Sequence, residues 1–250
     1  MQGVLEGRKA LLTGGSRGIG AAIVELFARS GADVAFCHLG DADRAEALVR
    51  RLTEEGLAVS QTECDVADEA AVGRMISWAK QGLGRVDILV NCAGIGGDVA
   101  FPDMTAAIWD RMIAVHLRGT FLVTSGVFAE MLERGDGRVI NIASQLAYKG
   151  SPGLAHYCAA KAGIVGFTRA LSLEGAPRGV LVNAIAPGPV ETDLLAGLSA
   201  EWHEMKRREM PVRRFGTVDE IAPTALLLAS AAGSFYVGQT LSPNGGDVMI

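Results

Sequence analysis

Short β-rich runs alternate with longer segments of helical periodicity along the whole of this 250-residue chain. Most of the short runs are almost continuously apolar, which is typical of strands covered on both faces of a parallel sheet. This alternation indicates right-handed β–α–β crossovers with helices on both faces. We therefore predict an α/β fold, a doubly wound, Rossmann-type parallel sheet of about seven strands, in a single domain over residues 1–250. The predicted strands are Lys9–Leu12, Asp33–Cys37, Val59–Cys64, Asp87–Asn91, Arg138–Ile142, Val180–Ile185 and Thr240–Ser242.

Composition and charge exclude several classes of function. Apolar residues make up 49% and charged residues 20% of the chain, and the net charge is −5, so no overall positive field draws it to nucleic acid. The N-terminus has no apolar signal-peptide core, and the late apolar stretch 221–232 is too short to span a bilayer. The 4 cysteines of the chain lack the C-x-x-C spacing of a zinc or redox site, and the metal-binding pattern H-E-x-x-H does not occur. We expect a cytoplasmic protein with no metal site and no nucleic-acid or membrane partner.

The strongest local motif is the glycine-rich turn T-G-G-S-R-G-I-G at residues 13–20, which lies between the first predicted strand and the first predicted helix. In this context, Gly14 permits the tight turn, Gly18 lets the backbone approach a phosphate, and Gly20 allows close packing of helix on strand. The N–H groups and dipole of the helix N-terminus favour an anion such as a pyrophosphate. The turn therefore predicts a dinucleotide cofactor contacted by Gly14, Ser16, Arg17, Gly18, Ile19 and Gly20.

A second interpretation of the same turn is a hydrolase. The stretch 14–18 also fits the G-x-S-x-G nucleophile elbow, with Ser16 as the nucleophile. That pattern gives no reason for Gly20, and Arg17 is better explained as a phosphate ligand. The residues therefore favour dinucleotide binding.

The choice between NADP and NAD depends on the end of the second predicted strand. An acidic residue there would bind the ribose 2′-OH of NAD and repel a 2′-phosphate, and His38 occupies that position. With Arg17 nearby and no carboxylate before Asp41, the sequence favours NADP. NAD stays open as the alternative, because neither Leu39 nor Gly40 supplies a second cation.

The candidate catalytic residues are Tyr157, Lys161 and Ser144. Tyr157 and Lys161 are four residues apart on a predicted helix and so share one face. The ammonium, together with an oxidised nicotinamide, should lower the pKa of the phenol, which would exchange a proton with the reacting oxygen. Ser144 follows a predicted strand and could hydrogen-bond that oxygen. A Tyr/Lys pair alone could be a surface contact, but its place after Ser144 and the glycine-rich turn favours catalysis.

Further short motifs follow the later predicted strands and end the chain. They are Asp65-Val66, Asn91-Cys92-Ala93-Gly94, Asn183 with Pro187-Gly188, Thr192, and Gly238-Gln239-Thr240 followed by Asn244-Gly245-Gly246. With these motifs in this order, the chain resembles the short-chain dehydrogenase/reductase family over essentially its whole length, and within it the 3-oxoacyl-[acyl-carrier-protein] reductase type. The resemblance implies hydride transfer between NADP(H) and a small-molecule carbonyl or secondary alcohol, with a 3-oxoacyl thioester as one candidate substrate, in a homotetramer. It also implies that Lys161 holds the cofactor ribose.

The resemblance assigns further cofactor contacts. It implies that Asp65 binds the adenine amino group and that Val66 lies beside the adenine ring. It places Asn91, Ala93 and Gly94 around the cofactor. It also implies that the nicotinamide and its carboxamide are held by Pro187, Gly188, Val190 and Thr192.

His116 departs from the family pattern, which usually has asparagine at this position. The asparagine carbonyl is thought to hold a water in the proton relay to the lysine. A neutral imidazole could take that role and add pH sensitivity near its own pKa. Alternatively, His116 merely packs in the core. The sequence leaves both interpretations open.

The sequence also leaves the substrate and the role of the stretch 191–214 open. That stretch is helical in pattern and could be a substrate lid or an ordinary surface insertion. His156 could line the substrate side or face solvent, and His203 should be exposed. An NAD-dependent dehydrogenase of a sugar, polyol or secondary-metabolite alcohol is the alternative enzyme. A non-catalytic nucleotide-binding sensor is less favoured, because all three candidate catalytic residues are present.

Overall fold

A parallel sheet in the order β3-β2-β1-β4-β5-β6-β7 forms the centre of the protein, in a computed structural model that describes residues 3–197 and 199–249. This 7-stranded sheet confirms the predicted fold class. The order reverses between β1 and β4, where the crossovers change direction. The strands are β1 Lys9–Thr13, β2 Asp33–His38, β3 Val59–Glu63, β4 Ile88–Asn91, β5 Gly137–Ile142, β6 Val180–Ile185 and β7 Thr240–Leu241.

Helices cover both faces of the sheet. They are α1 Gly18–Arg29, α2 Ala42–Glu54, α3 Glu69–Leu83, α4 Ala106–Ile113, α5 Gly119–Arg134, α6 Ala155–Gly175, α7 Asp193–Ala196, α8 Ala200–Glu209 and α9 Val218–Ala229. Alternate strand residues enter different cores, because side chains alternate across a strand. Leu12 packs in the core beneath α1, α2 and α9, whereas its neighbour Leu11 packs in the core beneath α3 and α5. Burial on both faces explains why the strands are nearly continuous apolar runs.

A π-helical turn, Ala114–Arg118, joins α4 to α5 and interrupts the helical segment 106–134. Such turns are rare and are frequently found at functional sites. This one contains His116. By length and composition, the segment Ala106–Arg134 could cross a membrane, but 56% of its most apolar window is buried inside the fold. A mostly buried apolar segment of this kind is typical of a core helix.

The carboxyl ends of the parallel strands lie along one edge of the sheet, where ligands of such folds bind. The loops after β1, β4, β5 and β6 meet there. The segment 191–214 beyond β6 contains the short helix α7 and the longer helix α8, as its helical pattern indicates.

Candidate active site

The glycine-rich turn is tied to the end of β4. The Thr13 hydroxyl accepts hydrogen bonds from the backbone N–H groups of Cys92 and Ala93, both at 3.1 Å. Gly14 has a φ of +70°, and a Cβ placed on it would lie 2.8 Å from the Cα of Ala93. A Cβ on Gly20 would lie 2.0 Å from the Gly14 carbonyl oxygen. These two positions therefore require glycine, for the turn and the helix packing that the sequence indicates.

The N-terminus of α1 faces the same edge of the sheet. Arg17 is its N-cap residue, and among the described residues no side chain caps its first turn. The N–H groups of that turn therefore remain able to bind an anion. A Cβ on Gly18 would lie 3.4 Å from Thr192 Cγ2, so the segment after β6 lies over this turn. Candidate cofactor residues from both halves of the sheet thus come together.

Ser144 lies beside Pro187 because the pairing of β5 with β6 continues beyond both strands. The Ala143 N–H donates to the Ile185 carbonyl at 2.7 Å, and the Gln145 N–H donates to the Pro187 carbonyl at 3.1 Å. Ser144 itself is buried, and its hydroxyl oxygen accepts a hydrogen bond from the Leu146 N–H at 3.1 Å.

Tyr157 and Lys161 share a face of α6 that is directed toward the end of β5. The buried Lys161 Nζ donates to the Ile142 carbonyl at 2.6 Å and lies 5.6 Å from the centroid of the Tyr157 ring. Tyr157 is half-buried, and its hydroxyl lies within hydrogen-bonding reach of the Ser144 hydroxyl. This hydrogen bond lowers the pKa of the Tyr157 phenol. The structure thus brings all three candidate catalytic side chains together.

The pKa of Tyr157 differs from the sequence-based expectation. Burial raises it to about 12, and the hydrogen bond with Ser144 offsets only part of that effect. Burial also lowers the pKa of Lys161 to about 8. In the protein alone, Lys161 does not lower the pKa of the phenol, because its ammonium bonds the Ile142 carbonyl and desolvation dominates. The predicted lowering also depends on the charge of the oxidised nicotinamide.

His116 packs edge-on against Tyr157, with their ring centroids 5.2 Å apart. Its Nε2 lies 2.9 Å from the carbonyl oxygen and 3.1 Å from the amide nitrogen of Ile95, so this atom donates or accepts according to the tautomer. Its Nδ1 is buried and has no partner among the described residues. A Cβ on Gly94 would lie 2.5 Å from the ring carbon Cε1, so the imidazole fills the space above that glycine.

The environment of His116 keeps its ring neutral. Burial, and secondarily the nearby charge of Lys161, lowers its pKa to about 3. If His116 takes part in the relay, pH sensitivity near its own pKa would therefore fall near pH 3 and not near the ordinary value of 6.5. Two other histidines were singled out by the sequence. His156 is 1% exposed, so of its two alternatives the solvent-facing one is excluded. His203 differs from the expectation that it is exposed. His203 is half-buried, packs against Trp202 and Phe215, and bonds the Leu195 carbonyl through Nε2 at 2.9 Å.

His38 ends β2 with its ring buried rather than open to the cofactor edge. Its Nε2 lies 2.9 Å from Gln61 Oε1 on β3.

Charged residues beside the glycine-rich turn correct the argument for NADP. The Asp41 carboxylate accepts a hydrogen bond from the Ser16 hydroxyl at 2.8 Å and lies 3.9 Å from Arg17 Nε. Although no carboxylate lies between His38 and Asp41 in the sequence, Asp41 itself lies beside Arg17 and would oppose a phosphate there. Arg44 on α2 supplies a second cation, which was not predicted from the sequence. It lies 3.9 Å from Asp41 and pairs with Asp193 on α7. Arg44 is three residues from Asp41 at the start of α2, and this spacing is the sequence feature that could have indicated the cation.

The residues after β3 and β4 make contacts of their own. Asp65 accepts a hydrogen bond from the Ala67 N–H at 2.9 Å and pairs with Arg111 at 3.0 Å, and Val66 is buried. The side chain of Asn91 lies in the core rather than in the cofactor cleft. It donates to Thr124 at 3.0 Å and to Asn141 at 2.9 Å.

The loop after β6 packs on the C-terminal turn. The Gly188 N–H donates to the Pro243 carbonyl at 3.1 Å, and a Cβ on Gly188 would lie 2.7 Å from the Cα of Asn244. Val190 is buried and forms a bridge with Gly216.

The arrangement of a glycine-rich turn with Ser144, Tyr157 and Lys161 at one sheet edge agrees with a comparison of the whole chain. A family model described as Enoyl-(Acyl carrier protein) reductase matches residues 14–247. The chain belongs to the short-chain dehydrogenase/reductase family. Members of this family are oxidoreductases that act on carbonyl and alcohol groups with NAD(P).

The similar proteins include two curated reductases and one solved structure. The chain is 41% identical to acetoacetyl-CoA reductase of Allochromatium vinosum over 96% of its length and 98% of that protein. It is 37% identical to 3-oxoacyl-[acyl-carrier-protein] reductase of Aquifex aeolicus over 97% of its length and 98% of that protein. A short-chain dehydrogenase/reductase of Serratia marcescens superposes with a TM-score of 0.92 at 36% identity, covering 97% of this chain and 98% of that one.

Proposed function

We propose that this short-chain dehydrogenase/reductase is an NADP(H)-dependent reductase of a 3-oxoacyl thioester. The observation that carries the proposal is the meeting of Ser144, Tyr157 and Lys161 beside the glycine-rich turn. The two curated relatives support the substrate class, since their names describe reduction of an oxoacyl thioester.

The residues at the sheet edge suit a dinucleotide cofactor. The uncapped first turn of α1 would hold its pyrophosphate, and Thr192 already lies against Gly18 above that turn. When bound, the nicotinamide supplies the hydride. Ser144 would orient the reacting oxygen by a hydrogen bond, and Tyr157 would donate a proton to it.

The raised pKa of Tyr157 is compatible with its role as proton donor in carbonyl reduction. A phenol with a pKa of about 12 is fully protonated at neutral pH, as a proton donor must be. Oxidation of an alcohol would begin from the phenolate instead. Lowering the pKa from about 12 to about 7 would require roughly 7 kcal/mol of added stabilisation. That stabilisation would have to come largely from the positive charge of the oxidised cofactor.

We propose that His116 takes part in the proton relay to Lys161, and that its ring stays neutral while it does so. The tautomer protonated at Nε2 donates to the Ile95 carbonyl and leaves Nδ1 as a buried acceptor. That acceptor can hold a water donating toward it, without the ring changing charge. The contact of the ring with Tyr157 places it next to the reacting phenol.

The NADP preference rests on Arg17 and Arg44. Both guanidinium groups are half exposed, and Asp193 pairs with Arg44 and lies 3.8 Å from Arg17. A 2′-phosphate would take the place of Asp193 between these cations. In the NAD alternative, Asp41 would instead accept the ribose 2′-OH.

We also propose a cytoplasmic homotetramer in which segment 191–214 covers the substrate. The exposed Phe121 on α5 and Leu173 on α6 offer apolar contact area to other subunits. Light scattering after size-exclusion chromatography tests the assembly, with a monomer as the contrary result.

The experiment that tests the function is a panel of carbonyl and alcohol substrates, followed by the absorbance of NADPH and NADH. We expect 3-oxoacyl thioesters with NADPH to give the highest kcat/KM. A clear preference for a sugar or polyol with NAD would contradict the proposal. Tight cofactor binding with no turnover of any compound would indicate a non-catalytic sensor.

A further inference from the structure

A buried carboxylate in the C-terminal turn joins three parts of the substrate side. Asp247 accepts hydrogen bonds from Lys206 Nζ at 2.7 Å, from Lys149 Nζ at 3.0 Å and from Gln145 Nε2. The Asp247 side chain is 4% exposed and that of Lys206 is 8% exposed. Charges this deeply buried persist only when they are paired and hydrogen-bonded, as these are.

The partners of Asp247 come from segments that are far apart in sequence. Gln145 directly follows Ser144, and Lys149 lies at the end of the same turn. Lys206 lies on α8, the longer helix of the segment 191–214. A single carboxylate therefore links α8 to the backbone that carries Ser144.

Tight packing surrounds the same link. A Cβ on Gly245 would lie 2.6 Å from Val212 Cγ2, and a Cβ on Gly246 would lie 2.9 Å from Pro211 Cγ. The end of segment 191–214 thus lies directly against the C-terminal turn.

The carboxylate also sets which way the Gln145 amide points. Its Nε2 must face Asp247, because only the nitrogen can donate. The carbonyl oxygen Oε1 is buried and has no partner among the described residues. The residue next to Ser144 therefore keeps an oriented hydrogen-bond acceptor.

We propose that Asp247 is a positioning residue, which holds α8 and the Gln145 turn at the substrate side of Ser144. This inference rests on the proposed function, since it assigns segment 191–214 to substrate binding. A buried ion cluster is weak evidence for added stability, because the cost of desolvation offsets the attraction. Its effect here is to fix the relative placement of three segments.

Two variants and two matched controls in the full chain test this role. Asp247→Asn removes the charge at nearly constant size, and Lys206→Met removes its partner. We expect the KM of the preferred carbonyl substrate to rise about tenfold or more in both, since a hydrogen bond to a charged group is worth about that factor. We expect a smaller change in kcat and an unchanged dissociation constant for NADPH.

The controls separate charge from general damage. Lys206→Arg keeps the charge and should retain the wild-type KM. Glu209 is the other partner of Lys206, and its side chain is 54% exposed. Glu209→Gln should therefore also have little effect on KM. If Asp247→Asn fails to fold, the comparison of Lys206→Met with Lys206→Arg decides the question.

Hydrogen exchange adds a readout that needs no substrate. Amide exchange over residues 200–209 should become faster in Asp247→Asn and Lys206→Met but not in Lys206→Arg. Unchanged exchange with an unchanged KM would overturn the proposal, and so would equal losses of substrate and cofactor binding. If the wild type reduces no compound while exchange still accelerates, the proposed function fails and the role of Asp247 in holding α8 stands.

Discussion

Replacing His116 with asparagine should make the protein less sensitive to acid. The pKa of the buried ring is about 3, against an ordinary value of 6.5. As pH falls through that window, the unfolded state binds a proton and the folded state does not, so the free energy of unfolding decreases. Applied to these two pKa values, the linkage relation gives a loss of about 2 kcal/mol between about pH 8 and about pH 5.

The assay is urea unfolding at both pH values and at one protein concentration. Wild type should lose about 2 kcal/mol more than His116→Asn on going to acid. His203→Asn is the control for removing one histidine, since its half-buried ring lies on α8 outside the core. Equal acid losses in wild type and His116→Asn would refute the argument that burial keeps this ring neutral.

Three further predictions follow from the same geometry. Gly94→Ala should destabilise the protein by about 1–3 kcal/mol, because the added Cβ would clash with His116. Gly73→Ala on α3 is the control, since its Cβ meets open space, and it should stabilise the protein by up to about 1 kcal/mol. Thermal melts compare the two variants. Arg44→Ala should weaken NADPH binding more than NADH binding in calorimetric titration, and equal effects would remove Arg44 from the 2′-phosphate site. The reduction rate should fall as pH rises through about 8, because Lys161 loses its proton there. Lys161→Arg should lack this fall, since arginine keeps its proton. An identical fall in that variant would show that another group causes it.

The sheet and the proximity of the three candidate catalytic residues could be predicted because both follow from local patterns. The bounds of β6 agree with the prediction at both ends, since an apolar run between turn residues determines them. Ser144 and Tyr157 could be placed together without a structure, because Ser144 follows a strand and Tyr157 lies in the first turn of the next helix. In a parallel sheet, those positions share one edge.

The errors arose where burial or distant contacts decide the outcome. The spacing of Tyr157 and Lys161 shows that they share a helix face, but it carries no measure of desolvation, which raises the pKa of the phenol. Asp247 is 102 residues from Gln145, so no local pattern could pair them. The neutral state of His116 likewise depends on its surroundings in the fold and not on its neighbours in sequence.

The central claim is that Tyr157 donates the proton during carbonyl reduction by this short-chain dehydrogenase/reductase. The most direct test measures NADPH oxidation by Tyr157→Phe with the preferred 3-oxoacyl thioester, alongside the dissociation constant of NADPH. We predict that kcat falls by about a hundredfold or more while cofactor binding is retained, because phenylalanine keeps the ring and removes only the donor. Retention of the wild-type kcat in this variant would contradict the account.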